Sequence, residues 1–270
     1  HADRLGGEVH VGAADGSPVR NLDLCVRSAH LNVRSIIAAP VATGFACLSE
    51  EEREIGVALV EIGAGVTNVS VFSGGMLTGL SSIPLGSSDI TDDIASTFGT
   101  SRAWAERAKC FHGCANLSPR DNHETLDVTM VNAEPGDEQL RITKAQLIGV
   151  IRQRLDRLME EIKRELARLK FEGPMGRQIV LTGGGAELKG MADYAQQALG
   201  CTVRLGRGRG LTAMPDAHAG AAFTTLAGLA RYAAEDPVDL RTLGPSRQLV
   251  VQPSPRALFQ RLVAAFRANY

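Results

Sequence analysis

Two runs of apolar residues break off abruptly into glycine, and this pattern restricts the possible folds more than any other feature of the chain. Val57 to Ile62 leads into Gly63-Ala64-Gly65, and Ile179 to Leu181 leads through Thr182 into Gly183-Gly184-Gly185. A strand that is apolar almost throughout is buried on both faces, so each run predicts a central strand covered by helices on either side. The small residues that follow permit tight turns and let a ligand approach main-chain amides with no side chain in the way. Phosphate or nucleoside groups suit such turns. A lone triplet serves equally as a tight connection; what carries weight here is the pair, each after a core strand and about a small domain apart.

The remaining patterns alternate strand and helix. A strand is expected at Val9 to Ala13, a helix at Pro18 to Ala29, a strand at Ser35 to Ala39 and a helix at Val41 to Glu50. After the acidic run Glu50-Glu51-Glu52 comes a meander: a strand from Ile55 to Ile62, a second from Asn68 to Phe72, and a third from Leu77 to Ile83 after the Gly74-Gly75 turn. Helices follow at Asp89 to Phe98 and Ala103 to Phe111, then a polar stretch containing a short strand at Leu126 to Val131. Leu147, Ile151, Leu155, Leu158, Ile162, Leu166 and Leu169 recur at helical spacing and predict one long helix from about Thr143, stopped by Gly173-Pro174. A strand at Gln178 to Thr182, a helix at Leu188 to Leu199, a strand at Val203 to Leu205 and a helix at Ala217 to Ala233 complete the body. The class is α/β, with mixed sheets flanked by helices.

Charge and cysteine content narrow the function. With 29 basic and 30 acidic residues the net charge is −1, which excludes a globally basic nucleic-acid binder, and nucleic acid is not an expected partner. Five scattered cysteines describe neither a disulfide framework nor a zinc site, and a reducing cytosol suits them. Cys110 and Cys114, four apart on a predicted helix, read as small core residues, so no metal site is expected. No apolar run approaches the roughly 20 residues needed to cross a bilayer. The chain opens at His1 and enters strand-like sequence almost at once, which reads as a chain lacking its N-terminal part.

Around the first turn, Thr67 offers a hydroxyl and Glu61 a carboxylate able to orient a metal-bound water, an arrangement suited to a nucleotide with magnesium. The motifs also form an ordered set. Val60-Glu61-Ile62-Gly63-Ala64-Gly65-Val66-Thr67-Asn68 resembles the second phosphate loop of the actin, Hsp70 and sugar-kinase superfamily, and Ile179-Val180-Leu181-Thr182-Gly183-Gly184-Gly185-Ala186 resembles its adenosine loop. Between them, Ala105-Glu106-Arg107-Ala108-Lys109 is similar to the helix that supplies a glutamate and a lysine to the adenosine. Together with Asn21-Leu22, Cys25 to Leu31, Pro40 to Glu54, Pro84-Leu85-Gly86, Thr91 to Ala95 and His112 to Ala115, the set resembles the FtsA family of bacterial cell-division proteins over nearly the whole chain.

That resemblance implies a partial actin-like (ribonuclease H-like) fold. It would comprise a remnant of the first half at 1–54, the second half at 55–115 and 177–234, a small outer subdomain at 116–176, a linker at 235–254 and an amphipathic membrane-targeting helix at 255–270. It implies ATP and Mg2+ as ligands, held by Gly63, Ala64, Gly65, Thr67, Glu106, Lys109, Gly183, Gly184 and Gly185, with Glu61 in the catalytic position. It also implies self-association into filaments, and docking of the FtsZ C-terminal peptide on the outer subdomain, with Arg154 as the contact. The implied role is to tether FtsZ filaments to the inner face of the cytoplasmic membrane at the division septum, with ATP controlling polymerisation rather than rapid turnover. Members usually carry aspartate in place of Glu61 and threonine in place of Val66, and nothing here corresponds to the first phosphate loop. A pilus-assembly adaptor or a small-molecule kinase of the same superfamily would share both loops.

The end of the chain carries its own signal. Ser254 and Pro255 suit a helix start, and Leu258, Phe259, Leu262, Val263 and Phe266 fall on one side of a helical wheel with Arg256, Arg261 and Arg267 outside it. The segment is too short and too charged to span a bilayer, and its apolar face and arginines suit an anionic membrane surface.

Overall fold

Ser49 starts a helix that the sequence pattern hides inside its acidic run. Its side chain accepts from the Glu52 amide while the Glu52 carboxylate accepts from the Ser49 amide, and three glutamates occupy the positive end of the helix dipole. The computed structural model describes residues 13–131, 140–171, 178–209, 215 and 218–235. In chain order the elements are α1 (Gly16–Ser28), α2 (Ala39–Cys47), α3 (Glu50–Ile55), β1 (Val57–Ile62), β2 (Thr67–Ser73), β3 (Met76–Ile83), α4 (Ser87–Phe98), α5 (Arg102–His112), β4 (Thr125–Val128), β5 (Leu140–Thr143), α6 (Lys144–Arg168), β6 (Gln178–Thr182), α7 (Met191–Leu199), β7 (Thr202–Leu205) and α8 (Thr224–Glu235). All of them lie within one compact unit, His1–Glu235.

Several expectations are corrected. The helix expected at Val41 to Glu50 is α2, which ends at Cys47, and a further helix, α3, begins at Glu50 after Leu48 and Ser49. Ile55 ends α3 rather than starting β1, because Gly56 at φ 120° turns the chain between them. Ser35 to Ala39 is not a strand: residues 31–38 are irregular and mostly exposed, and among the described residues no strand pairs with them. The strand β5, four residues paired antiparallel with β4, has no counterpart among the expected elements. The helix expected from Ala217 begins only at Thr224. All but Ala13 of the first expected strand, the Gly173-Pro174 stop, the linker beyond Glu235 and the terminal helix fall outside the described residues.

The main sheet has the order β3-β2-β1-β6-β7. β1 pairs antiparallel with β2 but parallel with β6, in a register that sets Glu61 opposite Thr182. Both strands therefore run out at the same edge, and the two glycine turns stand side by side. The central position of β1 explains its composition. Ala58, Val60 and Ile62 face one core with Ile179, Leu181 and the apolar stripe of α6, while Val57 and Leu59 face a second with Cys47, Phe72 and Val180. On α6, Thr143 caps the first turn, and Leu147, Ile151, Leu155, Leu158, Ile162 and Leu166 are buried as their spacing predicts. Truncating any one of these to alanine would cost about 2–5 kcal/mol. On the other side of the sheet α2 packs against α8 so closely that a Cβ on Gly228 would lie 1.8 Å from the Ala42 carbonyl oxygen.

Candidate functional site

The two turns meet at their backbones. A Cβ on Gly183 would fall 2.4 Å from the Ile62 carbonyl oxygen, and one on Gly185 would fall 2.3 Å from Ile62 Cγ2, so both glycines are required by the fit of the second turn against β1. Gly184 is different: a Cβ there would make only ordinary contact, 3.7 Å from Ala222. The first turn divides the same way. Gly63 is pressed against the Val66 carbonyl, which its amide bonds at 2.9 Å, whereas a Cβ on Gly65 would meet nothing within 4 Å. Close packing thus accounts for Gly63, Gly183 and Gly185, and leaves Gly65 and Gly184 as the positions where backbone stands open to a ligand.

The first turn is also tied to α4. The amides of Ser87 and Ser88 donate to the carbonyls of Gly63 and Ala64 at 2.9 and 2.8 Å, satisfying donors that a helix start leaves without partners. Thr67, expected to offer its hydroxyl to a ligand, is fully buried and donates instead to the Leu85 carbonyl at 2.8 Å. Its place in β2, opposite Ile62 of β1 and Ile83 of β3, turns the hydroxyl into the fold.

Glu106 and Lys109 lie one helical turn apart on α5 and face α4. Lys109 Nζ donates to the Ser87 carbonyl (2.9 Å), Thr91 Oγ1 (2.8 Å) and Glu106 Oε2 (2.8 Å), which occupies all three protons of the ammonium. Thr91 in turn donates to Glu106. Burial alone would raise the Glu106 carboxyl, but these hydrogen bonds and the Lys109 charge hold it below its ordinary 4.5. Beside it, burial and the Glu106 charge push the Cys110 thiol up, away from a reactive thiolate.

A cavity of about 440 Å3 opens between this helix and the second turn, lined in part by Ser87, Glu106, Lys109, Gly184, Gly185 and Lys189. Its two walls are fastened where the Ala115 amide donates to the Lys189 carbonyl at 2.8 Å. The structure therefore brings together Glu106, Lys109, Gly184 and Gly185 from distant parts of the chain. Gly63, Ala64 and Gly65 lie outside the cavity wall, joined to it through Ser87, which binds both Gly63 and Lys109. Ser87, Glu187 and Lys189 also line the cavity, although sequence reasoning does not single them out, and Cys110, expected as a core residue, is exposed and lines it too. Glu187 and Lys189 follow within four residues of the glycine triplet, and that proximity is the signal that could have found them. Among the described residues no three His, Cys, Asp or Glu side chains are placed to hold a metal ion.

Two expected site residues are otherwise engaged. Glu61 accepts from Thr225 on α8 and, at 3.4 Å, from Asn68 Nδ2. Arg154 is not an outward cation on α6: its guanidinium forks onto Asp93 of α4, with both bonds at 2.6 Å, and the side chain is only 18% exposed. The planar fork matches a carboxylate, and that pairing joins α6 to α4. Leu258, Phe259, Arg261, Leu262, Val263, Phe266 and Arg267 lie outside the described residues.

A family model for cell division protein FtsA matches residues 58–228. The chain belongs to the FtsA family. Its relatives include the cell division protein FtsA of Agrobacterium fabrum, 34% identical over 232 residues, which are 86% of this chain and 52% of that protein. The chain thus spans about half the length of that curated relative. Among solved structures, MreB5 of Spiroplasma citri bound to ADP superposes with a TM-score of 0.63 at 14% identity, covering 83% of this chain and 67% of that one. A PilM–PilN type IV pilus biogenesis complex does so with a TM-score of 0.59 at 19% identity, covering 79% and 56%. These two likenesses are of fold, and the fold is actin-like. Among the described residues no helix of this FtsA-family chain is long and apolar enough to cross a membrane.

The Glu106 cluster predicts an acid sensitivity of known sign. A carboxyl lowered by folding stabilises the fold fully above its unfolded value of 4.5, and loses that contribution as pH falls through the lower folded value. Urea unfolding of Glu106→Gln should show a shallower loss of stability below about pH 4.5 than the parent chain. Identical acid limbs would remove the Lys109–Thr91–Glu106 cluster as a source of stability.

Proposed function

We propose that this chain is the nucleotide-binding and membrane-tethering part of a cell-division protein that links FtsZ filaments to the inner face of the cytoplasmic membrane at the division septum. The observation that carries the nucleotide reading is the cavity in which Glu106 and Lys109 of α5 face Gly184 and Gly185. Its volume suits a nucleoside. The Glu106 carboxylate, half-exposed beside Lys109, is the acceptor for sugar hydroxyls. Open backbone at Gly184 and Gly65 gives the base and the phosphates their approach, and Gly184, Gly185 and Glu187 of the 3₁₀ turn line the cavity. Support from outside the chain is the family match and the ADP bound to the structurally similar MreB5.

Magnesium would arrive with the phosphates and keep most of its waters. Glu61, with two donors on its carboxylate, still has lone pairs for one such water. Glu61 is engaged by Thr225 and Asn68 rather than set aside as a base. ATP therefore serves to set a conformation for self-association into filaments, with hydrolysis slow at most.

Titration with a fluorescent ATP analogue tests the site, and Gly184→Asp is the variant of choice because a Cβ at this glycine makes only ordinary contact. The expected result is a folded protein with at least tenfold weaker binding, about 1.4 kcal/mol. Undiminished binding would remove the second glycine turn from the nucleotide site.

The tethering part rests on residues 255–270 and on family membership. Burying Leu258, Phe259, Leu262, Val263 and Phe266 in a membrane surface contributes about 1.5–3 kcal/mol each before ordering costs, and each arginine near anionic lipid adds about 1 kcal/mol. Attachment is then reversible for one molecule and firm for a filament. The FtsZ peptide is proposed to dock on the region 116–176, where Arg154 contributes by holding α6 to α4. Co-sedimentation with anionic vesicles and a labelled FtsZ C-terminal peptide tests both claims. The intact chain should pellet and carry the peptide down, whereas a chain lacking residues 255–270 should leave both in solution. Pelleting by the shortened chain would end the membrane proposal, and peptide left behind by the intact one would end the docking proposal.

A further inference from the structure

Alternation along β1 decides which layer Glu61 serves. Ala58, Val60 and Ile62 point into the core with α6, and Val57 and Leu59 point into the core with Cys47 of α2. Glu61 has the parity of Val57 and Leu59, so it stands on the side of α2 and α8. Its bonds follow that parity: one carboxylate oxygen accepts from Thr225 Oγ1 on α8, and Thr225 Oγ1 lies 2.9 Å from Thr43 Oγ1 on α2.

The direction of this chain follows from counting protons. The carboxylate can only accept, so Thr225 spends its single hydroxyl proton on Glu61 and can only accept from Thr43. Thr43 has one proton and two acceptors within reach, Thr225 Oγ1 at 2.9 Å and the Ala39 carbonyl of its own helix at 2.8 Å. The arrangement Thr43 to Thr225 to Glu61 exists only while Glu61 engages Thr225. If Glu61 turns to another donor, the Thr43 proton returns to Ala39 within its own helix and no hydroxyl of Thr43 is left without a partner. Two arrangements with both ends satisfied make a bistable link.

The link sits beside the tightest contact of the α2–α8 pair. Thr43 follows Ala42, and Thr225 lies one turn before Gly228, the glycine that meets the Ala42 carbonyl with no space for a Cβ. One turn further on, Arg231 Nη1 donates to the Phe45 carbonyl at 2.6 Å. At the other end, Glu61 is two residues from Gly63.

We propose that Glu61 is a positioning residue that reports occupancy of the first glycine turn to the α2–α8 crossing through Thr225 and Thr43. A hydrated cation or other donor brought to Gly63–Gly65 by a nucleotide draws the Glu61 carboxylate toward the turn and off Thr225, and α8 then loses its hold on β1 while Thr43 keeps its bond within α2. In sequence, α8 leads directly into residues 236–270. This inference rests on the nucleotide reading above, and its test separates the two.

Amide hydrogen exchange is followed in α2 and α8 with and without the magnesium complex of a non-hydrolysable ATP analogue, and affinity for that analogue is measured in parallel. The parent chain should show several-fold faster exchange in α8 when the analogue binds. Thr225→Val, which keeps the shape and loses the hydroxyl, should exchange several-fold faster in α8 from the start and show no further response, with affinity raised because binding no longer has to break the bond to Glu61. Thr225→Ser should restore the response, which sets loss of the hydroxyl apart from loss of fold. A parent chain that binds the analogue while α8 remains indifferent, or a Thr225→Val variant that responds as the parent does, overturns the coupling and leaves the site intact. Absence of binding by the parent chain overturns the nucleotide reading, and the coupling with it.

Discussion

Parallel pairing of β1 with β6 is the constraint on which the remainder of the molecule depends. Strands that run the same way end at the same edge, and the register that sets Glu61 opposite Thr182 leaves their two turns in contact. From that contact follow the close approaches of Gly183 and Gly185 to Ile62, the exposure of Gly184, and a cavity at the carboxyl end of the strands, where open α/β sheets place their ligands. Burial on both faces demands apolar residues at nearly every position of β1. The exception, Glu61, lies at the end nearest the turn.

The helices contribute a second level of constraint. α4 begins on the carbonyls of the first turn, and Lys109 fixes α5 to the first turn of α4, so the cavity wall is registered to the sheet by hydrogen bonds rather than by packing alone. Lys109 is thereby a strut within the protein. Its ammonium has no proton to spare for a ligand, and what it gives the cavity is charge and a fixed Glu106. Arg154 works similarly one layer out, holding α6 to α4 through Asp93.

Much of this can be read from the sequence, and what cannot shares one cause. The buried stripe of α6, its Thr143 cap, the extent of α4 and α5 and the strands β1 and β6 are written in local periodicity and turn residues, which one stretch of chain determines by itself. Ser35 to Ala39 has the composition of a strand but, among the described residues, no partner edge. β5 has only four residues and exists because β4 lies beside it. Thr67, Glu61 and Arg154 stand out in the sequence as polar residues in significant places, yet their partners Leu85, Thr225 and Asp93 come from other parts of the chain. Side-chain commitment across elements is a property of the packed molecule, and no local pattern encodes it.

The central claim is that the cavity between α5 and the second glycine turn takes an adenine nucleotide. The most direct measurement is photolabelling with an ATP analogue that carries a reactive azide on the adenine, followed by peptide mapping. The account predicts label on α5 between Arg102 and His112 or on the segment Gly184 to Lys189, displaced by excess ATP. Label confined to other parts of the chain, or label that excess ATP does not displace, would contradict it.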